Sequence, residues 1–249
     1  LDPRRDEARS FEAGGRVCCF TTCEDADWPQ VLAAYEDGFY GLDLLTGRRE
    51  LIARVEENLP QTRMNDGRTD PQGRFVAGGM DEREHKPVSA VWRIGAEGKP
   101  EKLIPDVAIS NSICFSPDGK WLYFTDTPSR RILRYPYGDT LGEPEVFAEI
   151  SNGYPDGSCT DTDGGLWTAI WEGRRVEYRK PDGKLAGIVE LPVNKPSCVA
   201  FGGDKLDTLY ITTSREGETP EQLAREPHAG SLFCVKPGVR GWAAKPFAG

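Results

Sequence analysis

Four turn sequences recur along this chain at nearly constant spacing, and that period limits the fold more than any other feature. Asp70-Pro71-Gln72-Gly73, Ser116-Pro117-Asp118-Gly119, Asp161-Thr162-Asp163-Gly164 and Gly202-Gly203-Asp204-Lys205 start at steps of 46, 45 and 41 residues. Each turn is preceded by an apolar run and followed by a β-rich one, as in Trp121-Leu122-Tyr123-Phe124. A further strand-like run follows in each copy: Ala90-Val91-Trp92-Arg93-Ile94, Arg131-Ile132-Leu133-Arg134-Tyr135, Arg175-Val176-Glu177-Tyr178-Arg179 and Ser231-Leu232-Phe233-Cys234-Val235. An earlier copy runs through Val31-Leu32-Ala33-Ala34-Tyr35 and Phe39-Tyr40-Gly41-Leu42-Asp43. Three or four antiparallel strands every 40 to 50 residues is the pattern of a propeller blade. The one helix-like stretch, residues 218–225, falls in a loop of the last copy, so a parallel α/β fold is excluded.

At about 45 residues per repeat, 249 residues hold roughly five and a half blades. Residues 1–15 read as the outer strand of a blade whose inner strands are absent, and the chain begins Leu1-Asp2-Pro3 without Met or an apolar leader. A propeller closes by pairing its ends within one blade, because an open ring leaves an unpaired edge. The expectation is an all-β fold in one domain spanning 1–249: a six-bladed β-propeller lacking part of its N-terminal blade, about 40 residues.

The composition agrees. Gly 28 and Pro 19 supply the turns of many short strands. A formal charge of -9, with no basic stripe, excludes nucleic acid and anionic membrane surfaces as partners. No apolar run reaches the length of a membrane-crossing helix. The seven cysteines include no Cys-x-x-Cys pair, and neither His85 nor His228 stands at zinc-finger spacing. Cys114, Cys159 and Cys198 lie in strand-like apolar runs, which reads as reduced, buried thiols and a cytoplasmic location.

Five residues before each turn stand Asn65, Asn111, Asp156 and Ser197. All are small and polar, and each opens the innermost strand of its copy. Equivalent positions in a propeller converge on one mouth of the central channel. Any one of them reads equally as a residue capping a strand start; four in register read as a site. Asn carbonyls and an Asp carboxylate are hard oxygen donors that suit Ca²⁺, Mg²⁺ or Mn²⁺ and tolerate Zn²⁺. A carboxylate beside such a cation stays ionised and can take a proton from an attacking water.

Several motifs carry a resemblance to a known family. They are Arg63-Met64-Asn65-Asp66-Gly67 with Ala77-Gly78-Gly79-Met80, Ser110-Asn111-Ser112, Pro155-Asp156-Gly157, and Lys195-Pro196-Ser197-Cys198 with Leu209-Tyr210-Ile211-Thr212. Together they resemble the family of regucalcin (senescence marker protein), gluconolactonases and luciferin-regenerating enzymes, over nearly the whole chain. The resemblance implies a six-bladed propeller with one divalent metal ion. It puts Asn111 and Asp156 among the metal ligands, and Arg63 and Asn65 on the substrate. It makes Glu84 a candidate sugar contact. Ser112 stands where the family has Gly, and Gly79 where it has Thr. The family's N-terminal Gly-Glu-Gly-Pro motif, which supplies a further Glu ligand, has no counterpart in residues 1–60 and is expected upstream of Leu1. Glu12 and Glu24 lack its context and read as solvated surface.

Other signals are weaker. Asp161-Thr162-Asp163-Gly164-Gly165 has Leu166 where a calcium loop needs Gly. There is no nucleophile elbow and no phosphate loop. Trp92, Trp121 and Trp167 fall at strand positions suited to packing, and His85 and His228 in loops. The reading implied is a metal-dependent hydrolase that opens sugar lactones. Asp156 would be catalytic, Asn111 and Asp156 the metal ligands, and Arg63, Asn65 and Glu84 the substrate contacts. The alternative is a propeller that binds calcium or a small ligand without turnover. A bare interaction scaffold has no need of a carboxylate in register with two amides.

Overall fold

The computed structural model describes residues 9–24 and 29–249. The chain divides into two compact units, Leu1–Ile109 with Ala244–Gly249, and Ser110–Ala243.

The first unit holds two antiparallel four-stranded meanders. One runs β1 (Cys19–Thr22), β2 (Val31–Ala34), β3 (Gly38–Leu42) and β4 (Arg49–Arg54); the other runs β5 (Thr62–Thr69), β6 (Phe75–Asp81), β7 (Ser89–Ile94) and β8 (Pro100–Val107). The second unit holds three. They are β9 (Ser110–Phe115) to β12 (Glu145–Glu149) through β10 (Trp121–Asp126) and β11 (Arg131–Pro136); β13 (Tyr154–Thr160) to β16 (Leu185–Glu190) through β14 (Leu166–Trp171) and β15 (Arg175–Arg179); and the three-stranded β17 (Pro196–Gly202), β18 (Thr208–Thr213) and β19 (Phe233–Val235). Strand order follows chain order in every sheet.

The blade number corrects the expectation. The described residues form five sheets, not six. The first sheet is a full four-stranded meander beginning at Cys19. Residues 1–8 of the expected outer strand lie outside the described residues, and residues 9–15 form no strand. The sequence reading names neither the outer strands β4, β8, β12 and β16 nor β1, Cys-Phe-Thr-Thr, whose alternating half-buried and exposed positions are too few to declare a period.

The recurring turn has one geometry in three of its copies. The amide of Gly73 donates to Asp70 O, Gly119 to Ser116 O and Gly164 to Asp161 O, at 2.9 to 3.1 Å. Each of these glycines has positive φ, +85°, +71° and +80°, a conformation that L side chains enter at a cost. Asp70 and Asp161 are fully buried, and their Oδ1 atoms accept backbone amides within the turn. The fourth turn is shifted: Leu206, at φ +52°, donates to Gly203 O.

The middle strands β2, β3 and β6 are buried along their whole length, because both faces are covered. The outer strands β4 and β16 are mostly exposed. In the first unit Leu32, Phe39, Met64, Phe75 and Ile94 share one core, with Phe39 and Phe75 edge to face at 6.0 Å. The C-terminal segment joins this unit: Phe247 is buried, donates to Thr22 O and accepts from Glu24 N. In the second unit Tyr123, Ile132, Phe147 and Ile170 form one cluster, and Trp167, Val176, Val199 and Leu209 another. Trp167 stacks on Tyr178 at 4.5 Å and donates from Nε1 to Asp161 Oδ2.

The expected helix forms as Pro220–Arg225, α1. It starts two residues later than the sequence suggested because Thr219 and Gln222 close a capping box and Pro220 occupies the first turn. Among the described residues no helix is long and apolar enough to cross a membrane. All seven cysteines are free thiols; Cys23, Cys114 and Cys159 are buried, Cys198 is half-buried and Cys234 is exposed.

Candidate functional site

The four polar residues five positions before the turns share a structural device. On β5 the register moves from Met64 opposite Gly79 to Asp66 opposite Gly78, leaving Asn65 as a bulge. On β17 it moves from Pro196 opposite Thr213 to Cys198 opposite Thr212, leaving Ser197 as a bulge. On β13 the residues between Pro155 and Ser158 face a single residue of β14, so Asp156 and Gly157 form the bulge. On β9 the irregularity is one residue along: Asn111 pairs with Thr125, and Ser112 and Ile113 oppose Phe124. A bulge breaks the two-residue alternation and re-aims a side chain away from the sheet face.

In the second unit β9 packs against β13 and β13 against β17, which brings Asn111 and Asp156 onto neighbouring first strands. Asn111 is buried and donates from Nδ2 to Thr127 Oγ1 at 2.8 Å. Thr127 Oγ1 in turn donates to Pro155 O, next to Asp156, at 3.3 Å. The Asn111 amide is thereby oriented with its nitrogen toward Thr127, and its oxygen is the end that can serve as a ligand. Ser112 Oγ donates to the Asp156 carbonyl at 2.7 Å. Ser158 Oγ donates to Ser112 Oγ at 3.0 Å and lies 2.9 Å from Thr168 Oγ1. Gly157 lies so close to β17 that a Cβ there would stand 2.4 Å from Cys198 Sγ. Ser197 is half-buried and its hydroxyl lies 2.9 Å from Thr212 Oγ1.

The donors fit a hard divalent cation: one oriented amide oxygen and one half-buried carboxylate, from residues tied together through Thr127 and Ser112. Across from Asn111, the fully buried Thr125 hydroxyl has no hydrogen-bond partner among the described residues, as expected beside a place meant for a polar occupant. Among the described residues no group of three His, Cys, Asp or Glu side chains converges. Glu12 and Glu24, the two acidic residues weighed as substitutes, are exposed.

In the first unit the bulge at Asn65 turns its Oδ1 to Arg63, whose Nη1 donates to it at 2.8 Å and to Met64 O at 2.9 Å. Arg63 Nε donates to Glu82 Oε1 at 2.9 Å. Arg16 approaches the same carboxylate from the other side, Nη1 to Oε1 and Nη2 to Oε2, both at 2.8 Å. The Arg16 hydrogen bonds, with those of Arg63, hold the Glu82 carboxyl down at about 2. Burial pushes the Cys18 thiol up, against the pull of Arg63 and Arg16. It remains protonated at neutral pH and is no ready nucleophile.

The acidic side chain on Arg63 is Glu82. The Asp81 carboxylate accepts amides from Arg83, Glu84 and Lys86, curling the chain after β6 into a turn. Glu84 ends there on the exposed side, paired with Lys86. Glu82 was legible in principle: Arg63 faces Met80, and a residue two further along the partner strand is within diagonal reach of a long side chain. Arg16 has no such signal, being remote in sequence and outside any strand.

The family model of the SMP-30/Gluconolactonase/LRE-like region matches residues 1–215. The chain belongs to this family. Relatives within reach include a 6-deoxy-6-sulfogluconolactonase of Pseudomonas putida, 37% identical over 100% of this chain and 86% of that one. An L-arabinolactonase of Azospirillum brasilense is 41% identical over 94% of this chain and 79% of its own length. Among solved structures, a calcium-binding protein described as regucalcin from Agrobacterium tumefaciens superposes with a TM-score of 0.86 at 33% identity, covering 92% of this chain and 78% of that one. The fold of this family member is thus an all-β propeller, with five sheets in the described residues.

Proposed function

We propose that this chain is a sugar-lactone hydrolase that uses one divalent metal ion. The observation that carries the reading is the tie between Asn111 and Asp156: two oxygen donors on adjacent first strands, fixed through Thr127 and Ser112, in a family whose relatives at 37% and 41% identity are named lactonases.

In the reaction a water oxygen adds to the lactone carbonyl carbon, the ring C–O acyl bond breaks, and the ring oxygen leaves as a hydroxyl of the open hydroxy acid. Asn111 and Asp156 would hold the cation, which when bound would supply Lewis acidity toward the carbonyl oxygen. Asp156 accepts the proton of the attacking water and returns it to the departing ring oxygen, a task that suits a half-buried carboxylate. Arg63 and Asn65 bind sugar hydroxyls and set orientation. Arg63 is suited to this because its guanidinium is already fixed by Asn65, Met64 O and Glu82 and loses little freedom on binding.

Hydrolysis of glucono- and arabinono-lactones is followed by proton release in a pH-stat while Ca²⁺, Mn²⁺ and Zn²⁺ are titrated. Metal-stimulated turnover that is lost in Asp156→Ala supports the reading; turnover indifferent to Asp156→Ala overturns it. The solved relative described as calcium-binding favours a second reading, metal binding without turnover, which the same titration supports if the ion binds and no proton is released.

A further inference from the structure

The Arg16–Glu82–Arg63 cluster has a charge balance that Arg63's role in orientation does not require. Two guanidiniums meet two carboxylates: Glu82 bridges both arginines, and Glu36 closes the outer side with Oε1 3.1 Å from Arg16 Nη2. The formal sum is zero. Glu82 stays ionised through the whole working pH range, since its carboxyl is held at about 2. Arg63 is the shielded member, 19% exposed, while Arg16 and Glu82 are 48% and 42% exposed.

Lactone hydrolysis changes the charge of the ligand. The lactone is neutral; the product acid is fully ionised at neutral pH and leaves as a carboxylate. An arginine without compensation binds a carboxylate through paired charge-assisted hydrogen bonds and holds the product more tightly than the substrate. An arginine already paired with a carboxylate offers hydrogen bonds to sugar hydroxyls without net attraction for an anion, and a second carboxylate nearby repels it.

We infer that Glu82, braced by Arg16, is a specificity-determining residue that lets Arg63 bind the neutral lactone while rejecting the anionic product. The inference rests on the lactonase reading for its purpose, but its physical content, a cluster made neutral against carboxylates, is measurable without turnover. Glu82 acts through Arg63 and touches no reacting atom.

Gluconate binding is measured by calorimetry on the metal-loaded protein, wild type against Glu82→Gln, which keeps the side-chain oxygen for Arg63 Nε and removes one negative charge. Gluconate binds the variant at least about fivefold more tightly, and Arg63→Met in the Glu82→Gln background removes the gain. A residue that only braced the fold would weaken binding instead. Gluconate affinity in Glu82→Gln that is unchanged or weaker overturns the inference. Glu36→Gln, at an exposed position, is the second variant should Glu82→Gln fail to fold; it shifts affinity in the same direction by a smaller factor, and no shift there overturns the inference. Wild-type hydrolysis is scored separately in the pH-stat, so a protein without turnover refutes the lactonase reading while the gluconate titration still returns its own answer.

Discussion

The Ser112 hydroxyl donates a 2.7 Å hydrogen bond to the backbone carbonyl of Asp156, joining the first strands of two neighbouring sheets. Ser112 does this from a left-handed backbone, φ +59°, which costs a non-glycine residue about 1–2 kcal/mol. Ser112→Ala keeps the strained backbone and loses both this bond and the one it accepts from Ser158 Oγ, which retains Thr168 Oγ1. It destabilises by about 1–2 kcal/mol in urea unfolding. Ser112→Gly relieves the strain as it loses the bond, so its stability stays within about 1 kcal/mol of wild type. A larger loss for glycine than for alanine contradicts this account.

Gly157 is where β13 comes nearest to β17. A Cβ there would stand 2.4 Å from Cys198 Sγ, 2.7 Å from its Cβ and 2.8 Å from its Cα, so backbone as well as side chain must move. Gly157→Ala is expected to cost about 1–3 kcal/mol and to weaken metal binding with it, since Asp156 is the preceding residue of the same bulge. Denaturant midpoints and a metal titration on one preparation report both.

Glu177 is 4% exposed and lies between Arg175 and Arg179, with closest contacts of 2.6 Å to each. Replacing it by Ala leaves two largely buried guanidiniums with no carboxylate. The expected loss is about 3–5 kcal/mol, far more than for an exposed ion pair. The comparison is Lys184→Ala, which breaks an exposed pair with Asp182 and changes stability by less than about 0.5 kcal/mol.

The depressed Glu82 carboxyl fixes the sign of one pH effect. Its folded value of about 2 lies below the ordinary 4.5, so its contribution to stability is complete above the unfolded value and is lost as pH falls through the folded one. The difference in unfolding free energy between wild type and Glu82→Gln is therefore constant from pH 7 to pH 5, shrinks between pH 4 and pH 2, and disappears below that. A difference that instead grows on acidification is inconsistent with the two arginine contacts. Carboxyl NMR of Glu82 is expected to show no titration step above pH 4.

The turns were legible in the sequence because each is a local object. Asp70, Ser116 and Asp161 each face their glycine three residues on, and the chemistry of that closure needs no tertiary information. The third strands, β7, β11 and β15, were legible because runs such as Ile132-Leu133 and Val176-Glu177-Tyr178 carry β-formers between clear turn signals. Glu84 was the sequence's choice for a sugar contact because it lies just past the Met80 motif. The Asp81-centred turn, which holds Glu84 to Lys86 and leaves Glu82 on Arg63, depends on which amides one carboxylate captures.

By itself the sequence determined the period, the all-β class, the family, and four polar residues at one repeat position. Those follow from local hydrogen-bonding chemistry and from strand spacing, which are written residue by residue. Only the tertiary structure decided that there are five sheets in the described residues, that Asn65, Asp156 and Ser197 sit in bulges, and that Arg16 meets Glu82 across 66 residues of chain. Bulges and long-range ion pairs depend on register between strands, and register is set by how whole sheets pack rather than by any one segment.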